Sequence, residues 1–316
     1  MPRHEAFRCT PILVPKVWGG DSLELLFGRK GHPGEFPFGE SWELSDCPGL
    51  VDSKVAEGEF QGLSLHQLWE NKRADIFGEG YEGIAHFPVL CKILDARESL
   101  SLQAHPSSGV AARRGGSEKN ELWYVVGRKE EASMYLGLTP GVTASDVKWA
   151  VGENRLEELM QAYCLNQGDS VFIPSGMAHG LGGGYLVFEI QQNSDTTYRL
   201  YDWGREDQAG NLRKLHLEEA IECIEEFQGH SKPRPAGEGV LLSSQFFLIE
   251  ECSLGEGDTV PHRDPDHFMI VTVVSGTIKW NENTSEIGDF ILVPAHAFPL
   301  FSGEPGAKVL LTTVPI

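Results

Sequence analysis

Two segments of this 316-residue chain carry the same short signature: GDSVFIPSGMAH begins at Gly168 and GDFILVPAHAFP begins at Gly288. Each runs Gly-Asp, then an apolar stretch, then a proline six positions after the glycine. Gly-Asp suits a tight turn, the apolar stretch suits a buried strand, and proline withdraws a ladder N–H and ends the pairing. Two copies of one hairpin point to a duplicated β barrel, with chance similarity of a single hairpin as the plainer alternative. The abundance of Gly and Pro between short apolar runs agrees with a turn-rich β protein.

FPVLCKILDA, LSLQAHP, ELWYVVG and SMYLGL read as further strands, apolar and broken by charged turns. SLHQLWENKRADIFG reads as a helix with Ser64 in the N-cap position. In TASDVKWAVGENRLEELMQAYCL, apolar residues at Val147, Ala150, Leu156, Leu159, Met160 and Tyr163 predict two short helices. Thr143 or Ser145 would cap the first and Asn154 the second, making a small α-helical insertion near 143–165. LHLEEAIECIEEF is amphipathic, and the polar linker GHSKPRPAG follows it. The expected organisation is a site-bearing domain over 1–230 and a second, smaller β domain over 238–316.

The net charge of −20 repels nucleic acid and anionic membrane, so neither is an expected partner. It also repels an anionic substrate, which local cations would have to hold. The six cysteines are spread without a CxxC pair and are expected to be buried thiols rather than a disulfide framework. The opening MPRHEAFRCTPILVPKVWGG has no apolar h-region, and the longest apolar stretch, MIVTVV, is too short to span a bilayer. A cytoplasmic protein is the expectation.

Chemistry concentrates in three short segments. Gln103 and His105 in LSLQAHP stand at i and i+2, which places both on one face of a strand. Glu121 follows in KNELWYV. Gly168–x5–Pro174–x–Gly176–x2–His179 resembles the second metal motif of the cupin superfamily. Gln103, His105 and Glu121 occupy the places of that superfamily's first motif, usually His-x-His and Glu. The resemblance implies a mainly β chain of two cupin-like (jelly-roll) β-barrels. Two imidazoles, a carboxylate and an amide oxygen suit one borderline divalent metal, zinc first. Taken singly, each of these residues reads as structural.

LSLQAHPSS, EKNELWYV, GDSVFIPSGMAHGL and EIQQNSDTTYRLYDWGR, with PKVWGG and GESWELSD, are together similar to class I phosphomannose isomerases of the short bacterial type. That resemblance implies reversible aldose–ketose exchange between mannose 6-phosphate and fructose 6-phosphate through an enediol. It implies metal ligation by Gln103, His105, Glu121 and His179, with Ser101 and Lys119 lining the same cavity. Glu189 and Arg199 fall at active-site positions. Glu189 and Lys119 are both candidates for handling the proton, and Arg199 for holding the phosphate or an oxyanion.

Arg113, Arg114, Lys16 and Arg205 are further candidate cations, although the two loop arginines suit a solvated surface equally well. The partner implied is a small phosphosugar; the oligomeric state stays open, and a monomer is compatible with it. The second barrel carries Pro299 where the metal histidine would align, so it is expected to be structural. His262, His267 and His296 there would make an adventitious metal site at most. The rival readings are a non-catalytic sugar-binding or regulatory cupin, and a metal-dependent cupin enzyme acting on another sugar or on oxygen. Lys119, Glu189 and Arg199 beside four intact ligands speak against them.

Overall fold

The computed structural model describes residues 4–31, 37–47, 49–206, 210–229, 231–255, 258, 260–299 and 301–316. The chain is mainly β. It divides into two compact units, residues 13–40 with 94–236, and residues 1–12 with 41–93 and 237–316.

The repeated hairpin has the same hydrogen bonds in both copies. Gly168 donates to Val125 O at 2.9 Å and Gly288 to Val273 O at 3.0 Å. The aspartate that follows turns its Oδ2 back on the N–H three residues earlier, Asn166 in one copy (2.7 Å) and Glu286 in the other (3.0 Å). Gly168 and Gly288 have φ of 87° and 89°, a left-handed conformation that glycine adopts without a side-chain clash.

The unit built from residues 13–40 and 94–236 contains an antiparallel five-stranded sheet. Its order is Met160–Tyr163, Met134–Leu138, His179–Leu181, Leu102–Ala104, Tyr198–Tyr201. In the second sheet, Glu121–Arg128 lies between Ser170–Ile173 and Tyr185–Gln192. Strand alternation sorts the side chains. Leu102, Ala104, Tyr198 and Leu200 join one buried cluster with Val110, Val147 and Ile221, which come from helices Ser108–Arg114, Ala144–Gly152 and Leu217–Glu226. Trp123, Val125, Val187, Met134, Leu136 and Leu181 form a second cluster contributed by both sheets. Gln103 and Arg199 alternate with the first set, while Glu121 and Glu189 fall in step with Trp123 and Val187 of the second.

The expected pair of helices near 143–165 is only half present. Ala144–Gly152 is a helix whose N-cap Thr143 exchanges hydrogen bonds with Asp146. Asn154, expected as a cap, sits at a φ of 56°, outside the helical region. After it comes a single 3-10 turn, Leu156–Leu159, and then the strand Met160–Tyr163. That strand supplies the ladder partner of Met134–Leu138, which outweighs a helical spacing of only a few residues.

The other unit holds a six-stranded antiparallel sheet, ordered Phe7–Arg8, Phe290–Val293, Met269–Ser275, Ala307–Thr313, Leu248–Leu254, Gly239–Ser243. The division after Ala236 falls within the expected 230–238, but residues 1–12 and 41–93, expected in the first domain, group with this unit. The reason is aromatic packing. Trp69, Phe77, Tyr81 and Phe87 form one cluster, and the last three reach Phe268 at ring-centroid distances of 5.1 to 5.7 Å. Helix Leu65–Phe77 starts as expected, with a reciprocal capping box between Ser64 and Gln67. Ser64→Ala should lower unfolding free energy by about 1 kcal/mol, read as a lower urea midpoint at unchanged slope.

Cys9, Cys47, Cys91 and Cys223 are buried, in keeping with the expected buried thiols. Burial pushes Cys9 and Cys223 up to about 12, which leaves them unreactive. Cys252 is half-buried, and Cys164 departs from expectation by standing exposed just after the strand Met160–Tyr163. Among the described residues no helix is long and apolar enough to cross a membrane.

Candidate metal centre

The ladder brings the candidate residues into rows. His179 and Arg199 both stand opposite Gln103, one on each side, so His179, Gln103 and Arg199 lie side by side on one sheet face. Ser101 and His105, two residues to either side of Gln103, continue along that face. In the other sheet Glu121 stands opposite Gln191, and Trp123 stands opposite Glu189.

His105, Glu121 and His179 converge, with each residue's ligand atom within 4.8 Å of the others. His105 Nε2 is 3.4 Å from Glu121 Oε2, and His179 Nε2 is 3.3 Å from Glu121 Oε1. Gln103 Nε2 lies 3.3 Å from His179 Nε2, while Ser101 Oγ donates to Gln103 Oε1 at 3.1 Å. A half-turn of this amide exchanges its oxygen and nitrogen and aims the oxygen at the histidines, with Ser101 then accepting. The imidazoles are fixed from behind: His105 Nδ1 faces Thr196 O at 2.9 Å, and His179 Nδ1 faces Met177 O at 2.8 Å. A carbonyl there requires the proton on Nδ1 and leaves Nε2 as a bare lone pair. Gly176, at a φ of 87°, donates to His105 O at 2.8 Å and fixes the ligand strand from outside.

These atoms fit a cation better than they fit one another. His105 Nε2 and Glu121 Oε1 are buried and make no hydrogen bond, while Glu121 Oε2 faces the Lys119 ammonium. Buried polar atoms are otherwise paired almost without exception. Their separations of 3.3 and 3.4 Å match the edge of a tetrahedron with bonds of about 2.0–2.1 Å, the zinc–nitrogen and zinc–oxygen range. Burial, and next the Lys119 ammonium, push His105 down to about 3, so it is neutral and ready to ligate. Burial raises Glu121, but the Lys119 ammonium outweighs it and holds the carboxyl well below its usual range. Lys119 Nζ lies 2.9 Å from Glu121 Oε2 and is itself buried.

The neutral state of His105 has a measurable consequence. In metal-free protein the unfolded chain takes up a proton below the ordinary histidine value of 6.5, whereas the folded chain takes it up only near 3. Stability from this group is therefore full above 6.5 and is lost as pH falls towards about 3. Thermal midpoints measured in chelator should fall over that window, and His105→Gln should flatten the slope.

Glu189 is buried and accepts from Trp123 Nε1 at 3.0 Å, and the same indole packs its edge on His179 with centroids 5.5 Å apart. Arg199 donates to Lys214 O at 3.1 Å, and its Nε is buried without a hydrogen bond. Burial first, and Arg213 second, lower its pKa. Arg205 and Arg213 both pair with Asp202. Two residues stand out here that the sequence alone does not single out, although Gln191 lies within EIQQNSDTTYRLYDWGR. Arg213 lies in a segment without a recognisable signature. Gln191 is fully buried, with Oε1 unpartnered and Nε2 bonded to Gln192 O and Ser194 O. Its spacing of two from Glu189 was the available signal.

Other candidate cations are engaged elsewhere. Arg113 pairs with Glu222 and Glu226, and Arg114 with Glu222, on helices whose other side packs on the sheet. The surface reading of those arginines therefore holds. Lys16 pairs with Glu40 at 2.9 Å. His262, His267 and His296 form no metal group among the described residues, since His267 turns to Asp264 and His296 to Asp266.

A mainly β unit with two imidazoles, a carboxylate and an amide converging inside it is the arrangement of the metal-dependent cupin class. The family model for the catalytic domain of type I phosphomannose isomerase matches residues 6–145. The chain is 33% identical over 275 residues to the mannose-6-phosphate isomerase ManA of Bacillus subtilis (strain 168), covering 84% of each. It is 31% identical to the mannose-6-phosphate isomerase of Streptococcus mutans, over 88% of this chain and 89% of that one. The crystal structure of the Bacillus subtilis mannose 6-phosphate isomerase matches with a TM-score of 0.78 at 27% identity, covering 98% of this chain and 100% of the other. The chain belongs to the type I phosphomannose isomerase family.

Proposed function

We propose that this chain interconverts mannose 6-phosphate and fructose 6-phosphate, with one divalent cation, zinc first, held by Gln103, His105, Glu121 and His179. The carrying observation is the convergence of His105 Nε2, His179 Nε2 and the Glu121 carboxylate in one buried group, spaced as ligands are spaced, with His105 Nε2 and Glu121 Oε1 making no hydrogen bond. The cation, when bound, polarises the sugar's carbonyl or hydroxyl oxygen and offsets the negative charge that develops on it. The site lies in the unit of residues 13–40 and 94–236. Both units are read as cupin-like barrels related by duplication, a reading supported by the matching hairpins at Gly168 and Gly288. Pro299 in the second copy supports a structural, metal-free role for that unit.

The remaining side chains divide the work. Isomerisation moves a proton from C2 to C1 of the open-chain aldose while the carbonyl passes the other way. Glu189 is the base that takes and returns the carbon-bound proton, its carboxylate oriented by the indole N–H of Trp123. Lys119, next to Glu121, donates to the substrate oxygens, with Ser101 beside the Gln103 amide. Arg199 binds the phosphate or the oxyanion as a planar donor, and Arg213 and Arg205 add positive charge around it. A buried divalent cation with Lys119 and Arg199 makes a positive pocket in a chain of net charge −20, which an anionic substrate requires.

The test is a coupled isomerase assay on mannose 6-phosphate as purified, after chelation and after zinc is restored. Turnover should vanish with chelator and return with zinc. Absence of turnover in fully metal-loaded protein would overturn the reading.

A further inference from the structure

A second cluster of ligand side chains lies in the other unit, remote in sequence from the four ligands above. Asp46 belongs to the short strand Asp46–Cys47, His66 to the first turn of helix Leu65–Phe77, and His86 to the loop before the strand at Val89. Their ligand atoms all lie within 4.8 Å of one another. We propose that Asp46, His66 and His86 form a second, structural site for a borderline divalent cation such as zinc.

Three observations carry the assignment. Both imidazoles present the same nitrogen to one carboxylate oxygen: His66 Nδ1 is 3.0 Å and His86 Nδ1 is 3.2 Å from Asp46 Oδ1. These separations again approach the edge of a tetrahedron with bonds of about 2.0–2.1 Å. The carboxylate is pre-positioned. Asp46 is buried, and its Oδ2 accepts from Phe87 N at 2.8 Å, while Asp52 Oδ1 accepts from His66 N at 3.1 Å. The rings are also held in place and reachable. They stack with centroids 5.0 Å apart and 26° between planes, and their side chains are 31% and 35% exposed, which gives an ion an entry path.

Two imidazoles and one carboxylate select zinc, nickel or copper(II) over magnesium or calcium, which take oxygen ligands. Binding would displace the Nδ1 protons and leave further coordination positions to water. Such an ion would tie a strand, a helix and a loop at one point. Its role would be to stabilise this unit, with no part in the chemistry at Glu121.

Equilibrium dialysis of the metal-free full chain against micromolar free zinc, followed by metal analysis, tests the assignment. The wild type should bind one more zinc per chain than His66→Gln/His86→Gln, whose isomerase activity should be unchanged. Equal zinc content in wild type and variant would overturn the second site. The comparison reads a difference, so it stands whether or not the first site holds zinc. If the double variant does not fold, zinc should protect His66 and His86 of the wild type from diethylpyrocarbonate. Equal labelling with and without zinc would then overturn it.

Discussion

Glu121→Gln is expected to reduce turnover on mannose 6-phosphate by at least about 10³-fold and to abolish divalent-cation binding at the proposed metal centre. The substitution keeps the shape of the side chain and removes its charge, so the effect is electrostatic. Loss of a Lewis acid removes several kcal/mol of charge stabilisation, and each decade of rate corresponds to about 1.4 kcal/mol. A second effect follows from Lys119. Its ammonium, buried 2.9 Å from Glu121, loses its carboxylate partner. Breaking a buried ion pair from one side costs about 3–5 kcal/mol, so the metal-free variant should also unfold at lower temperature. Full activity with stoichiometric zinc in the variant would remove Glu121 from the ligand set.

Arg199→Ala should separate ligation from catalysis. Arg199 stands beside Gln103 in the ladder, yet it contributes no lone pair to the metal group. Turnover should fall by about 10²–10³-fold, the usual cost of removing one donor from developing charge, while zinc content stays at the wild-type level. Steady-state constants then distinguish its two possible tasks. A rise in KM at constant kcat marks a phosphate contact made equally in ground and transition states, and a fall in kcat marks an oxyanion contact. Unchanged kinetics would exclude both.

Much of the candidate site was legible because it is written in short-range patterns. Gln103-x-His105 places two side chains on one strand face whatever surrounds them, and Gly-Asp with a later Pro defines a turn and the length of the strand that follows. Ser64 followed by Gln67 sets the start of a helix through hydrogen bonds closed within one turn. Each depends only on neighbours a few residues away, so the linear order contains the cause.

What the sequence by itself determined, then, was the set of candidate ligands, the strands that carry them and the repeated hairpin. Tertiary structure alone decided which partners meet. The carbonyls of Thr196 and Met177 select the histidine tautomers, Glu222 and Glu226 draw Arg113 and Arg114 to the surface, and Arg213 joins Arg205 at Asp202. The aromatic cluster of Trp69, Phe77, Tyr81 and Phe87 with Phe268 assigns residues 41–93 to the unit that ends the chain. The physical reason is range. Backbone geometry and turn chemistry act over a few bonds, whereas packing and charge pairing act between segments whose separation along the chain says nothing about their distance in space.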